Sequence, residues 1–182
     1  MSSWSDAALL LASLSDEGRD AFSRHSGIAL PDDPEDPEGI EAALASHASE
    51  NGGTPAELFA STGAMAGATR DTEFAVSIGE AALEMSETPD ERQLAHVCLA
   101  QTHFRNRKEE KHLASFEAHC SEAIELGAAG TFCYERLATL YEYRKEYGRA
   151  AEVSRRAVDA LADGRSVERF RGRLARLGEK LD

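Results

Sequence analysis

The chain has 182 residues, 42% hydrophobic content and a formal net charge of −13, which fits one compact domain of ordinary size. Residues 1–91 carry 3 basic and 19 acidic side chains, whereas residues 92–182 carry 17 and 14. This field repels phosphate backbones and argues against nucleic acid as the main ligand. The longest apolar run, residues 7–14, is too short to cross a bilayer and follows Asp6 rather than a basic leader, so we expect a soluble cytoplasmic protein with no membrane partner.

The first 53 residues predict a helical extension. One apolar helix is expected at residues 6–14, a second after an N-cap at Ser15, and a third at residues 37–49. The segment LPDDPEDPEG, residues 30–39, has three prolines and five acidic residues. It cannot be helical throughout, so we expect an acidic surface loop.

Two matching helix starts follow the extension. TPAE at residues 54–57 and TPDE at residues 88–91 each combine a capping box with proline at the first helical position. The two starts are about 34 residues apart, which is the period of a helix-turn-helix repeat.

Three segments place small and aromatic residues at the same offsets from these starts. The matching residues are Phe59, Gly63, Ala75 and Ala82, then His96, Leu99, Ala100, His103, Cys120 and Ala123, then Tyr134, Leu137, Ala138, Tyr141, Ala150 and Ala157. The chain resembles the tetratricopeptide repeat (TPR) family over about residues 54–163. The resemblance implies an all-α fold, an antiparallel stack of helical hairpins in a right-handed α-solenoid. The implied divisions are an extension at 1–53, repeats at 54–87, 88–129 and 131–163, and a cap at 164–182.

The chain departs from the family pattern in two ways. Gly79, Cys120 and Ser154 replace the aromatic residue of each second helix. The middle repeat is about four residues too long between Phe104 and Phe116, which either lengthens its helices or inserts a loop.

The last segment predicts a capping helix. Its apolar residues alternate at spacings of three and four and form one stripe: Val167, Phe170, Leu174, Leu177 and Leu181. Basic residues flank the stripe at Arg165, Arg169, Arg173, Arg176 and Lys180. They form either a solvated face or a contact with an acidic partner, including the acidic half of a second copy in a homodimer.

Potential metal ligands concentrate in the middle repeat. They are His96, Cys98, His103, His112, His119 and Cys120. Histidines seven residues apart lie about 10 Å apart along one helix, so neither helix offers a chelating i, i+4 pair. Pairs that bridge the two helices, His103 with His112 and His96 with Cys120, remain open. Repeat packing already explains His96, His103 and Cys120, so we expect no metal site; a metal-responsive or regulatory protein is the alternative hypothesis.

The three cysteines, Cys98, Cys120 and Cys133, contain no CxxC pair and predict reduced, mostly buried thiols. The chain also has no GxSxG, HExxH or phosphate-binding glycine motif, so we expect neither an enzyme nor a cofactor.

The resemblance implies that the first helices of the repeats line a concave groove for a peptide or helix. The corresponding positions are Glu57, Ala60 and Ala64, then Leu94, Val97, Gln101, Phe104 and Arg105, then Phe132, Glu135, Thr139, Glu142 and Tyr143. Family members that clamp a C-terminal carboxylate have lysine and asparagine where this chain has Ala60 and Ala64. An apolar centre with Glu135 and Glu142 at one side would suit an amphipathic partner with some basic residues.

The leading hypothesis is therefore a non-catalytic adaptor or scaffold. In the alternative interpretation, Leu94, Val97 and Phe104 pack the enlarged middle repeat or contact the N-terminal helices.

Overall fold

The computed structural model describes residues 3–33, 36–162 and 164–181, and these residues form ten α-helices and no strand. The helices are α1 (Trp4–Ser13), α2 (Asp16–Ser26), α3 (Pro37–Asn51), α4 (Pro55–Ala68), α5 (Thr72–Met85), α6 (Pro89–Arg105), α7 (Glu110–Glu125), α8 (Phe132–Tyr143), α9 (Tyr147–Ala160) and α10 (Arg165–Leu181). The all-α prediction is confirmed. Pro34 and Glu35 of the acidic loop, and the predicted segment ends at residues 1, 163 and 182, lie outside the described residues.

The apolar segments of this fold are short. Within the described ranges, no helix combines the length and the apolar character needed to span a membrane.

The predicted helix starts are confirmed. The Thr54 hydroxyl accepts a hydrogen bond from the Glu57 N–H at 3.3 Å, and the Glu57 carboxylate accepts one from the Thr54 N–H at 2.9 Å. Thr88 and Glu91 repeat this arrangement, with distances of 3.2 and 2.9 Å. Because the first turn of a helix leaves its N–H groups without intrahelical partners, each cap stabilises its helix by about 1 kcal/mol.

The N-terminal helices share a core with α4 and α5. Helix α1 packs on α3, and α2 packs on α4. Leu11, Ile40 and Leu44 are fully buried in this core, and the rings of Phe22 and Phe59 lie 5.3 Å apart. The extension therefore packs on the first predicted repeat.

From α4 onward, neighbouring helices pack in pairs: α4 with α5, α6 with α7, and α8 with α9. Helices α6 and α7 have 17 and 16 residues, against 14 each in α4 and α5, so the extra length of the middle repeat lies mainly in its helices. Gly79 explains one departure from the family pattern. A Cβ at Gly79 would lie 2.6 Å from Leu99 Cδ2, because Leu99 occupies the space beside α5.

The C-terminal helix α10 packs on α9. Val167, Phe170 and Leu177 are buried and Leu174 is partly buried. The Phe170 ring meets the Tyr134 ring edge-on, with centroids 6.3 Å apart. The predicted stripe is wrong at Leu181, which is 53% exposed because it is the last residue of the helix.

Candidate functional site

The predicted groove residues on α6 range from exposed to partly buried. Leu94 is 38% exposed and Arg105 is exposed, whereas Val97, Gln101 and Phe104 are partly buried. Val97 and Phe104 pack against the core that α7, α8 and α9 form, in agreement with the packing alternative for these two residues.

Phe104 joins α6 to the two following helices. Its ring lies 5.1 Å from that of Phe116 on α7 and 5.8 Å from that of Phe132 on α8. The guanidinium groups of Arg107 and Arg136 lie 4.2 and 4.9 Å from the centre of the same ring. Two of the predicted residues, Phe104 and Phe132, are thus brought together.

The predicted positions on α4 offer little contact surface. Ala60 is fully buried in the N-terminal core, so it is wrong as a groove residue. Ala64 is partly buried. Glu57 is exposed, but its carboxylate accepts a hydrogen bond from the Thr54 N–H in the cap of α4. The nearby Met65, which the repeat pattern did not select, is 56% exposed.

The predicted acidic side of the groove is already paired within the chain. Glu135 on α8 forms an ion pair with Arg169 on α10. Glu142 Oε1 lies 2.8 Å from Arg173 Nε, and Arg173 Nη2 donates a hydrogen bond to Thr139 Oγ1 at 3.1 Å. Since α10 supplies these cations, the two carboxylates no longer give a reason to expect basic residues in a partner.

Tyr143 has the most exposed aromatic side chain of the predicted set. It lies at the end of α8 and is 86% exposed. Thr139, one turn earlier, is also exposed. A tyrosine in this position offers a large apolar ring to a partner at low entropic cost.

Four histidines form one continuous row between α6 and α7. His103 Nδ1 lies 2.8 Å from His112 Nδ1, and His96 Nδ1 lies 3.0 Å from His119 Nδ1. The His103 and His119 rings stack with centroids 5.5 Å apart and an interplanar angle of 7°, which connects the two pairs. The bridging contact of His103 with His112, which the sequence left open, is present.

The other pair that the sequence left open, His96 with Cys120, does not form, because His96 contacts His119 instead. One residue further along an α-helix is a rotation of about 100°, which turns Cys120 into the core. There the Cys120 thiol is fully buried beside Cys133, and burial raises its pKa. Burial also raises the pKa of Cys98 to about 11. All three cysteines are buried free thiols, as the sequence predicts.

Burial controls the charge of the histidine row. Burial, together with the smaller effect of neighbouring histidine charges, lowers the pKa of His103 and of His119 to about 4. The His103 and His119 rings are therefore neutral at pH 7, and each lies within hydrogen-bond distance of the Nδ1 atom of its partner histidine. Among residues 3–33, 36–162 and 164–181, no three or more His, Cys, Asp or Glu side chains form a group that could hold a metal ion.

The histidine row borders a cavity of about 610 Å³ between α5 and α7. Its walls include His103, His112 and His119, together with the carboxylates of Glu73 and Glu80. Sequence spacing did not predict this cavity, because its two walls come from different predicted repeats.

A polar network around Glu117 was also not predicted. The Tyr141 hydroxyl donates a hydrogen bond to Glu117 Oε1 at 2.9 Å. Arg144 and Arg149 lie 2.6 and 2.8 Å from the same carboxylate. Burial and the bond to Glu117 raise the pKa of Tyr141 to about 12. The network ties α7 to α8 and α9, and its members are too distant in the sequence to show a local pattern.

Comparison of the chain with family models, curated proteins and solved structures finds no match. The proposals of function therefore depend on the residues and contacts of this chain.

Proposed function

We propose that this chain is a non-catalytic protein-interaction module of the TPR type. Its helix pairs would form a hairpin stack, α10 would cap that stack, and the first helices α4, α6 and α8 would present a groove to a peptide or helix. The protein would act as an adaptor or scaffold in the cytoplasm.

One observation supports this proposal above the others. Each of the three first helices carries one exposed large apolar side chain: Met65 on α4, Leu94 on α6 and Tyr143 on α8. Helix α6 also contacts both α4 and α8, as a continuous groove would require. A large exposed apolar side chain on α6 and on each of the two first helices that α6 contacts supports an interaction surface.

The test compares partner binding by the wild type with that by the Leu94→Glu, Tyr143→Glu double variant. Both side chains are exposed, so the variant should keep the circular dichroism spectrum and melting temperature of the wild type. Leu9→Glu is the matched control, because Leu9 is an exposed leucine on α1, 57% exposed against 38% for Leu94.

Each protein would be used to capture partners from a lysate of the source organism. We expect the wild type and the Leu9→Glu control to retain the same proteins and the double variant to lose them. If every partner survives the double substitution, or if the wild type retains none, the proposal fails.

A second candidate is a regulatory protein that uses the histidine row. The contacts among His96, His103, His112 and His119 favour it, since three of these imidazoles line a cavity and imidazoles can respond to protons or to a metal. Elemental analysis of protein purified without chelator separates the two forms. A stoichiometric metal would favour the metal-responsive form, and a metal-free protein with a pH-dependent affinity for its partner would favour the proton-responsive form.

A further inference from the structure

A cavity of about 430 Å³ lies between α8 and α10 and is rich in arginine. Its lining residues are Glu135, Arg136, Thr139, Arg169, Phe170, Gly172, Arg173 and Arg176. Four of these eight residues are arginines and only one is acidic, in a chain whose net charge is −13. The cavity is therefore mainly basic, whereas the whole protein is acidic.

Two of the four arginines are already paired. Arg169 pairs with Glu135, and Arg173 pairs with Glu142. Arg136 and Arg176 have no carboxylate within 4 Å in the described part of the chain. The Arg136 guanidinium lies over the Phe104 ring, and Arg176 Nη1 donates a hydrogen bond to the Gly172 carbonyl at 3.3 Å. Two guanidinium groups therefore retain donors for a ligand.

The arginines of α10 crowd one another. Arg169, Arg173 and Arg176 follow one face of the helix at spacings of four and three, which places them side by side. Desolvation lowers the pKa of Arg173; Glu142 opposes this effect, and the charges of Arg176 and Arg169 add to it. Arg173 is partly buried, whereas Arg169 and Arg176 are exposed; like charges at neighbouring positions repel one another, and a bound anion would relieve the repulsion.

We infer that this cavity binds acidic side chains of a partner protein, which would place glutamate or aspartate carboxylates on Arg136 and Arg176. The inference rests on the proposed function and adds the chemistry of one part of the partner. A guanidinium binds a carboxylate through two parallel hydrogen bonds, a geometry that lysine cannot offer. The Thr139 hydroxyl already donates a hydrogen bond to the Glu135 carbonyl and accepts one from Arg173. Phe170 is buried, so the arginines carry the recognition.

The charge distribution selects a protein segment over a nucleic acid. A long polyanion would also meet the acidic surface of residues 1–91, which carry 19 acidic groups and only 3 basic ones, and would be repelled. A short acidic segment can place its carboxylates on α8 and α10 alone. The cavity adjoins Thr139 on α8, one turn before Tyr143, so the segment could continue onto the proposed interaction surface.

The test is fluorescence anisotropy with three labelled peptides that carry glutamate, glutamine or lysine around a central leucine. We expect the wild type to bind the glutamate peptide at least about tenfold more tightly than the glutamine peptide at low salt, and the lysine peptide most weakly. The Arg136→Gln, Arg176→Gln double variant should lose this preference. Arg155→Gln is the control, because Arg155 is an exposed arginine on α9 outside the cavity.

Either of two results would overturn the inference: equal binding of the glutamate and glutamine peptides, or an equal loss in the Arg155→Gln control. Sedimentation of the wild type tests a second copy as the occupant. Self-association that is lost in the double variant and at high salt would assign the cavity to a homodimer and overturn its assignment to a different protein.

The inference can fail without the proposed function. If Leu94→Glu, Tyr143→Glu loses its partners while Arg136→Gln, Arg176→Gln keeps them all, the interaction surface stands and the arginine site is wrong. If the partners survive both double variants, both proposals are wrong.

Discussion

Arg173 on α10 holds Glu142 on α8 through an ion pair of 2.8 Å between Nε and Oε1. The contact joins α10 to α8. It also neutralises the charge of a predicted groove residue on α8. Because Arg173 also donates to Thr139, α10 determines the charge of this part of the surface as well as covering the core.

Removal of α10 should strongly destabilise the protein. Val167, Phe170 and Leu177 are buried, and each contributes about 1.5–3 kcal/mol by its removal from water. We expect a chain that ends after Gly164 to aggregate or to melt at a much lower temperature, as measured by size-exclusion chromatography and thermal unfolding. Leu181→Ala, at an exposed position, should change little. An unchanged melting temperature after truncation would show that α10 is not a structural cap.

Acid should weaken the fold through the histidine row. His103 and His119 have a pKa of about 4 in the folded protein, below the ordinary value of about 6.5. The unfolded chain therefore binds more protons between these values, so the free energy of unfolding falls as the pH falls from 6.5 towards 4. A pKa that is lower by one unit in the folded protein corresponds to about 1.4 kcal/mol, so we expect a loss of several kcal/mol in urea titrations across this window.

A variant pair isolates the histidine contribution. Carboxylates ordinarily titrate below pH 5, so the window between pH 6.5 and 5 selects the histidines. His103→Gln, His119→Gln should flatten the pH dependence in this window, whereas His47→Gln on α3, away from the row, should preserve it. Equal slopes in all three proteins would contradict the assigned pKa values.

Gly79→Ala should destabilise the contact between α5 and α6. The added Cβ would lie 2.6 Å from Leu99 Cδ2 and 2.9 Å from its Cγ, so the helices must shift, at a cost of about 1–3 kcal/mol. Gly178→Ala is the matched control, because α10 leaves open space there and alanine favours a helix over glycine by about 1 kcal/mol. Urea denaturation should show opposite signs for the two substitutions; stabilisation by both would mean that α5 and α6 are less tightly packed.

Glu117→Gln should cost more than the loss of an ordinary surface charge. The Glu117 carboxylate accepts hydrogen bonds from Tyr141, Arg144 and Arg149, and hydrogen bonds to a charged group contribute about 1.5–3 kcal/mol. Glu152→Gln removes an exposed pair with Arg155 and should change the free energy of unfolding by less than about 1 kcal/mol. If both variants lose a similarly small free energy of unfolding, the Glu117 network contributes little to the stability of the fold.

The sequence by itself determined where the helices begin and which residues of α10 face the core. The TPAE and TPDE caps form within four consecutive residues, so no distant contact is needed to predict them. The stripe of Val167, Phe170 and Leu177 follows from the helical period alone. Local hydrogen bonding and periodicity are properties that a single segment carries.

Only the tertiary structure decided which side chains meet. A rotation of one residue turns Cys120 into the core and brings His119 to His96. The position of α10 pairs Glu135 and Glu142 with its arginines, which changes the expected character of the surface from acidic towards basic. These contacts depend on how each helix is rotated and where it packs, and that is set by the summed packing of the core rather than by any one segment.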